Sequence, residues 1–196
     1  RYDLKNAIMR MGPAGFAFET FIAEVLREYG YKASLRRKIQ GRCALHEIDI
    51  VLEKGGERIM VECKYHNAGG IYTGLKEAMY TYARFLDLNE GHEDGLCERF
   101  DGALLATNTR CSDEARRYAS CRGLRVLAWR YPRNAGIERL VEKKGLYPVT
   151  VIHGLGNEEL TGLSKANMML LRDLARRDVE AICRSSGIPV DKARAL

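Results

Sequence analysis

Asp49, Glu62 and Lys64 are charged residues in two short runs rich in Ile and Val, which flank the pair Gly55-Gly56. A Gly-Gly pair supplies the positive φ values that a tight hairpin turn requires. A turn centred on this pair predicts that Asp49 lies directly across from Glu62, with the two Cβ atoms about 5 Å apart. Because two carboxylates at that distance repel each other, we expect a positive group between them, either Lys64 or a divalent cation.

These residue types are suited to metal-assisted cleavage of a phosphodiester. The two carboxylates would hold Mg²⁺, or Mn²⁺, which neutralises the scissile phosphate and lowers the pKa of a bound water. Lys64 would orient that water or offset the charge that develops on the phosphorus. In this register the backbone carbonyl of Cys63 lies between the two acidic side chains and would complete the coordination, while its thiol points to the other face.

The register divides the hairpin into two faces. One face carries the charged residues, including Glu47 opposite Lys64. The other face carries an apolar set that is suited to packing on a core: Ile48, Ile50, Leu52, Ile59, Val61 and Cys63. A charged face that is merely solvated is the alternative to a site, because the pattern E-x-K is common on exposed strands.

The elements before the hairpin bring further charged groups near it. Apolar residues at helical spacing predict a helix that opens at residues 11–15 and continues to about Tyr29, with Glu19 at the edge of its buried stripe. Glu19 is either a solvated flank or a group that reaches the hairpin carboxylates. Residues 31–39 are typical of a strand, and Arg36, Arg37 and Lys38 near its end fit either a solvated edge or a phosphate-contacting patch.

The residues after the hairpin predict a helix over 73–88, a strand over 102–107, a helix capped by Ser112 and a strand over 124–129. We expect the apolar face of the first helix to consist of Leu75, Met79, Tyr82, Phe85 and Leu86. Tyr72, Tyr80 and Tyr82 either stack on bases or complete a core, and we favour the core. The strand, helix, strand order implies a parallel crossover, so the fold class is α/β (α+β) with a mixed central sheet flanked by helices.

A change of character near Leu155 predicts two domains, over residues 1–154 and 155–196. The second is small and all-α, with helices over 164–174, 178–185 and 188–196, and Gly187 and Pro189 form the turn between the last two. A short charged helix is expected over 137–144, followed by an extended segment over 145–152.

Composition excludes several classes of protein. The chain has 196 residues, of which 46% are hydrophobic, and no apolar run approaches the length of a membrane span. The first residues lack the apolar core of a signal peptide, so we expect a cytoplasmic protein without membrane contact. The six cysteines contain no C-x-x-C pair, which argues against a zinc site and favours reduced, mostly buried thiols. A net charge of +6 favours an anionic partner.

The order of these features resembles the restriction-endonuclease-like nucleases of the PD-(D/E)xK class, especially the Mrr-like branch. In that class a helix with a Glu precedes a strand with the Asp and a strand with E-x-K, and the matching residues here are Glu19, Asp49 and Glu62-Cys63-Lys64. The resemblance covers about residues 12–129. The residue before Asp49 is Ile48 rather than Pro, a position that varies in the class.

The resemblance implies a Mg²⁺-dependent endonuclease that acts on DNA, with Glu19 as an additional ligand for a second metal and a homodimer as one working form. The segment 186–194 resembles helix-hairpin-helix and sterile-alpha-motif-like domains, in which a helix N-terminus such as that at Lys192 faces a phosphate. A structural cap or a dimerisation element fits the same segment. Two other functions stay open: a nucleic-acid-binding module without catalysis, and cleavage of RNA or branched DNA.

Overall fold

A computed structural model describes residues 4–12 and 15–194. The strands are β1 (Lys32–Gln40), β2 (Leu45–Lys54), β3 (Glu57–Lys64), β4 (Tyr72–Thr73), β5 (Gly102–Thr107), β6 (Arg110–Cys111) and β7 (Arg125–Leu127). Five of them form one sheet in the order β1-β2-β3-β5-β7, antiparallel from β1 to β3 and parallel from β3 to β7. The predicted mixed sheet is therefore confirmed. β4 and β6 pair in parallel as a separate ribbon.

Nine helices of the described residues surround the sheet. They are α1 (Leu4–Met9), α2 (Phe16–Glu28), α3 (Leu75–Glu93), α4 (Asp113–Arg122), α5 (Ile137–Lys144), α6 (Asn157–Lys165), α7 (Leu171–Ala175), α8 (Val179–Ser186) and α9 (Val190–Ala193). Ser112 caps α4 as predicted, because its Oγ accepts the N–H of Ala115 at 3.2 Å. Residues 13 and 14 of the expected opening of α2, and residues 195 and 196 of the last helix, lie outside the described residues.

The hairpin has the predicted register, since Val51 pairs with Met60 and Glu53 with Arg58. The ladder ends at the pair Ile50 and Val61, so Asp49 lies just beyond it, and the predicted pairs of Asp49 with Glu62 and of Glu47 with Lys64 are not part of the ladder. There the Oδ2 of Asp49 accepts the backbone N–H of Cys63 at 2.7 Å. At this end of the hairpin, the carboxylate of Asp49 therefore accepts the N–H of Cys63 in place of a backbone oxygen, and the proposed site begins here.

Both faces of the sheet are covered, and one residue of the predicted apolar face is misplaced. Ile50 and Val61 pack with α2 in one core, but Ile48 is buried in the second core with Val51 and Met60. The alternation of side chains breaks at Asp49, across from which Arg36 of β1 has a φ of 49°. Because this local change of backbone direction has no signature in a hydrophobic pattern, the sequence placed Ile48 on the wrong side.

The predicted apolar face of α3 is also wrong in part. Leu75, Met79 and Leu86 are exposed, whereas the residues of α3 that are buried are Ala78, Thr81, Arg84, Leu88 and Gly91. Tyr72 and Tyr80 are exposed and do not complete a core, while Tyr82 is half-buried against Phe85 and Tyr118. Apart from Leu88, the helix therefore packs through small and polar residues, and it leaves several large apolar side chains at the surface.

The C-terminal helices cover α2. Leu163, Met169 and Ile182 belong to the same core as Phe18 and Phe21. The expected helix over 164–174 is wrong, because α6 ends at residue 165 and α7 begins only at 171. In place of an extended segment, residues 149–151 form one turn of 3-10 helix. The division of the chain at residue 154 stays a prediction.

All six cysteines are free, as expected; Cys111 is buried, three others are partly buried, and two are exceptions to the expected burial. Cys43 and Cys121 are exposed because they lie in a surface turn and at the solvent side of α4.

Within residues 4–12 and 15–194, no helix is both long and apolar enough to cross a membrane.

Candidate active site

The carboxylates of Glu19, Asp49 and Glu62 lie near the end of the sheet at which the β2–β3 ladder stops. Burial, together with the negative charge of Asp49, raises the pKa of Glu62 from 4.5 to about 7. Burial and the charge of Asp49 likewise raise the pKa of Glu19 to about 7. Burial also raises the pKa of Asp49, against the lowering effect of the hydrogen bond from Cys63. Glu19 is therefore not a solvated flank, since only 13% of its side chain is exposed and it forms an ion pair with Arg36.

Each of these carboxylates has one oxygen held by a donor of the protein. The Oε2 of Glu19 lies 3.0 Å from Nη1 of Arg36. The Oδ2 of Asp49 accepts from the Cys63 N–H, and the Oε2 of Glu62 forms an ion pair with Arg84. The second oxygen of each group has no hydrogen bond to any residue that the structure describes. The three side chains are thus oriented, and one oxygen of each is left for a further partner.

The donor set fits a hard divalent cation that keeps part of its water. Carboxylate and carbonyl oxygens are the ligands that Mg²⁺ prefers, and it commonly takes only one or two carboxylates from the protein. Among the described residues, no group of three or more His, Cys, Asp or Glu side chains is arranged closely enough to hold a metal ion. The residues at hand are therefore two carboxylates, from Asp49 and Glu62, with the main chain of Cys63 between them.

Lys64 and Cys63 flank this pair in different ways. The positive charge of Lys64 lowers the pKa values of both Asp49 and Glu62, so its ammonium lies within electrostatic reach of the two groups. The thiol of Cys63 packs against the core beside α2, and burial raises its pKa well above the ordinary value. The thiol stays protonated, which leaves the backbone as the part of Cys63 that can act at the site.

Arg84 is the residue of the site that the sequence did not identify. Its guanidinium is buried, forms the ion pair with Glu62 and donates to the backbone oxygen of Glu47. It also lies 3.4 Å from Nδ1 of His46, whose Nε2 is 2.6 Å from Oδ2 of Asp87. Since arginine only donates, Nδ1 is the acceptor and Nε2 carries the proton shared with Asp87. His46 therefore has a structural role behind Glu62.

The basic residues proposed to contact nucleic acid differ in their surroundings. Arg36 is engaged with Glu19, and its guanidinium stacks over the ring of Phe16 at 5.7 Å. Arg37 and Lys38 are exposed in β1 beside the strand that carries Asp49. Lys192 forms an ion pair with Glu159, which ties α9 to α6. Their contact with nucleic acid stays a prediction.

Comparison with known proteins gives a consistent family assignment. A family model described as restriction endonuclease (Mrr_cat) matches residues 10–131. An uncharacterized protein of Archaeoglobus fulgidus is 43% identical over 173 residues, which are 88% of this chain and 94% of that protein. The crystal structure of a protein of unknown function, AF1548, superposes with a TM-score of 0.82 at 42% identity and covers 92% of each chain.

Proposed function

We propose that this chain, which belongs to the restriction endonuclease family, is a metal-dependent endonuclease that hydrolyses phosphodiester bonds in DNA. The family and its fold support nuclease activity in general. The observation that supports the metal-dependent reaction is the arrangement of Glu19, Asp49 and Glu62, each with one oxygen fixed by the protein and the other without a bond to a described residue.

The roles follow from the chemistry of the groups. Asp49, Glu62 and the backbone carbonyl of Cys63 would hold Mg²⁺ or Mn²⁺, and Glu19 would assist with a second ion. When bound, the cation would neutralise charge on the scissile phosphate and lower the pKa of a coordinated water. Lys64 orients the attacking water and offsets negative charge on the phosphorus. Arg84 holds Glu62 in place and opposes its protonation next to Asp49.

DNA is the proposed partner, and its backbone charge suits a chain with a net charge of +6. Arg37 and Lys38 would contact phosphates on one side of the cut. A homodimer would let two such sites act on the two strands of a duplex.

The test is cleavage of circular plasmid DNA in Mg²⁺ and in EDTA. We expect nicking that EDTA abolishes, and a loss of at least about 100-fold in Asp49→Ala and in Lys64→Ala, within the range for loss of one electrostatic group at a reacting centre. Asp101→Ala is a matched control, because Asp101 is an exposed carboxylate at the other end of the central strands, where β5 begins. Nicking that persists in EDTA, or that is equal in all four proteins, contradicts the proposal.

A non-catalytic nucleic-acid-binding module is the second candidate. The ion pairs of Glu62 with Arg84 and of Glu19 with Arg36 favour it, because they neutralise two of the carboxylates without a metal. This function predicts salt-dependent DNA binding in EDTA, and Asp49→Ala would bind as tightly as the native chain, with no cleavage by either protein.

A further inference from the structure

A groove lined by arginine and aromatic side chains lies beside the proposed site. It is formed by β4 and β6, by the first turn of α4 and by residues 129–131, with a volume of about 760 Å³. β4 and β6 are tied together where the N–H of Ser112 donates to the oxygen of Thr73 at 3.0 Å, and residues 129–131 are tied to them where the N–H of Trp129 donates to the oxygen of Thr109 at 3.0 Å. The floor of the groove is thus fixed by main-chain hydrogen bonds.

The groove carries positive charge that the protein does not neutralise. Its lining includes four arginines, Arg110, Arg116, Arg117 and Arg130, and two acids, Asp113 and Glu114. Arg116 forms an ion pair with Asp113 and stacks over Tyr131. In residues 4–12 and 15–194 there is no carboxylate within salt-bridge distance of the guanidinium of Arg110, Arg117 or Arg130. These three groups are available to an anionic ligand.

The groove also carries an exposed aromatic ring. Tyr72 has 55% of its surface exposed, and no ring or cation of the described residues stacks on it. Trp129, on the other side of the groove, is half-buried and fixed by its hydrogen bond to Thr109. An exposed ring of this kind stacks readily on a nucleobase.

The position of the groove connects it to the carboxylate site. Lys64 pairs with Thr107 at the carboxyl end of β5, and Arg110 follows only three residues later. Leu127 pairs with Ala106 at the same end of the sheet, and Trp129 follows two residues later. Because neighbouring strands are about 4.8 Å apart, Lys64 lies next to the segment that leads from Thr107 to Arg110, and a strand of DNA that leaves the site beside Lys64 can run along this segment toward the groove.

We infer that this groove binds a single strand of DNA that continues from the phosphodiester at the carboxylate site. The inference rests on the proposed function and names its substrate class: DNA with an unpaired stretch next to the cut. A duplex keeps its bases stacked inside and offers only phosphates to such a surface, whereas an unpaired strand offers phosphates to Arg110, Arg117 and Arg130 and a base to Tyr72.

The test is binding measured by fluorescence anisotropy in EDTA, with fluorescein-labelled oligo-dT, a blunt duplex of the same length, and that duplex with a single-stranded dT tail. We expect the full chain to bind the single strand and the tailed duplex at least about tenfold more tightly than the blunt duplex. Arg110→Glu with Arg117→Glu should remove this preference and reduce the slope of log Kd against log salt by about 1.4, because two phosphate contacts are lost.

Two pairs of variants separate the ring and the charges from general effects. Tyr72→Ala should raise the Kd for oligo-dT about five- to tenfold, and Tyr72→Phe should restore binding because stacking needs only the ring. Arg99→Glu with Lys143→Glu makes the same change of charge at two exposed positions outside the groove and should alter binding at most about twofold. Circular dichroism confirms that each variant is folded.

The inference is overturned if the blunt duplex binds as tightly as the single strand, if the groove and control variants lose equal affinity, or if Tyr72→Ala binds oligo-dT like the native chain. It is also overturned if oligo-dT does not bind in EDTA. These outcomes are distinct from a failure of the proposed function, because binding in EDTA is measured without cleavage, and Mg²⁺-dependent nicking of duplex DNA with no single-strand preference would uphold the function alone.

Discussion

Arg84 of α3 and Glu62 of β3 form an ion pair in which both side chains are buried. Glu62 lies beside Asp49. Burial of Glu62 and the negative charge of Asp49 both raise the pKa of Glu62 and therefore favour its protonated form. The guanidinium of Arg84 is the largest of the effects that oppose this, since it lowers the pKa of Glu62 more than Lys64 does. The pair therefore connects the packing of α3 to the charge state of the proposed site.

Replacing Arg84 by Met should change the pH dependence of cleavage as well as its rate. Without the guanidinium the pKa of Glu62 in the metal-free chain rises further, so protons compete more strongly with the metal for this group and the acid limb of the pH–rate profile moves to higher pH. A role confined to folding would lower the rate without moving this limb. Because the substitution leaves a buried carboxylate without its partner, we also expect a loss of about 3–5 kcal/mol in the free energy of unfolding.

Arg84→Lys provides the conservative comparison. Lysine keeps the positive charge but cannot donate to Glu62, His46 and the oxygen of Glu47 together. We expect the pH–rate profile of Arg84→Lys to lie between those of the native chain and Arg84→Met. Identical profiles in all three proteins would show that Arg84 does not act on the ionisation of Glu62.

Glu24 of α2 should make a contribution to stability that falls as the pH rises. Both oxygens of Glu24 accept the N–H of Met169, at 3.1 and 3.0 Å, and burial raises the pKa of this acid from 4.5 to about 7. Between these values the folded chain keeps a proton that the unfolded chain has released. The contribution of Glu24 is therefore most favourable below about pH 4.5 and is lost as the pH passes about 7.

Glu24→Gln should remove this dependence, because the amide does not titrate and keeps an acceptor for Met169. The difference in unfolding free energy between variant and native chain should shift in favour of the variant by on the order of 1–3 kcal/mol between pH 4 and pH 8. Urea unfolding at a series of pH values measures it. Other acids titrate in both proteins and cancel, so a difference that stays constant with pH would contradict the assignment.

The close approach of α3 to the β1–β2 turn depends on Gly91. A Cβ at this position would lie 2.8 Å from the backbone nitrogen of Arg42 and 2.8 Å from the carbonyl carbon of Gly41. In an open helix Gly→Ala stabilises by about 1 kcal/mol. Here we expect Gly91→Ala to destabilise by about 1–3 kcal/mol, measured by urea unfolding, because the clash is with backbone. A stabilised variant would show that the turn can move away at no cost.

Local patterns predicted the hairpin well, because its register depends on one turn and on the residues next to it. The Gly55-Gly56 pair and the flanking apolar runs were sufficient to place Val51 against Met60. Two errors arose where distant segments decide. Ile48 changes face at the break beside Arg36, and α3 buries Ala78 rather than Leu75 and Met79.

The role of Arg84 also depends on a distant segment, and the sequence therefore did not identify it. An arginine in a helix is normally solvated, and its partner Glu62 is 22 positions earlier in the chain. One signal was present, since Ala78, Thr81, Arg84 and Leu88 recur at helical spacing and together form the buried face of α3. A charged residue in such a face, on the helix after an E-x-K strand, predicts a partner for the Glu.

The most direct test of the account is the position of Mn²⁺ in crystals of the full chain with DNA, located by its anomalous scattering. A metal site formed by Asp49 and Glu62 predicts a peak within about 2.5 Å of one carboxylate oxygen of each residue, and no peak there in Asp49→Asn. Cleavage of DNA in solution by a chain whose crystals hold Mn²⁺ elsewhere, with none between Asp49 and Glu62, would contradict it.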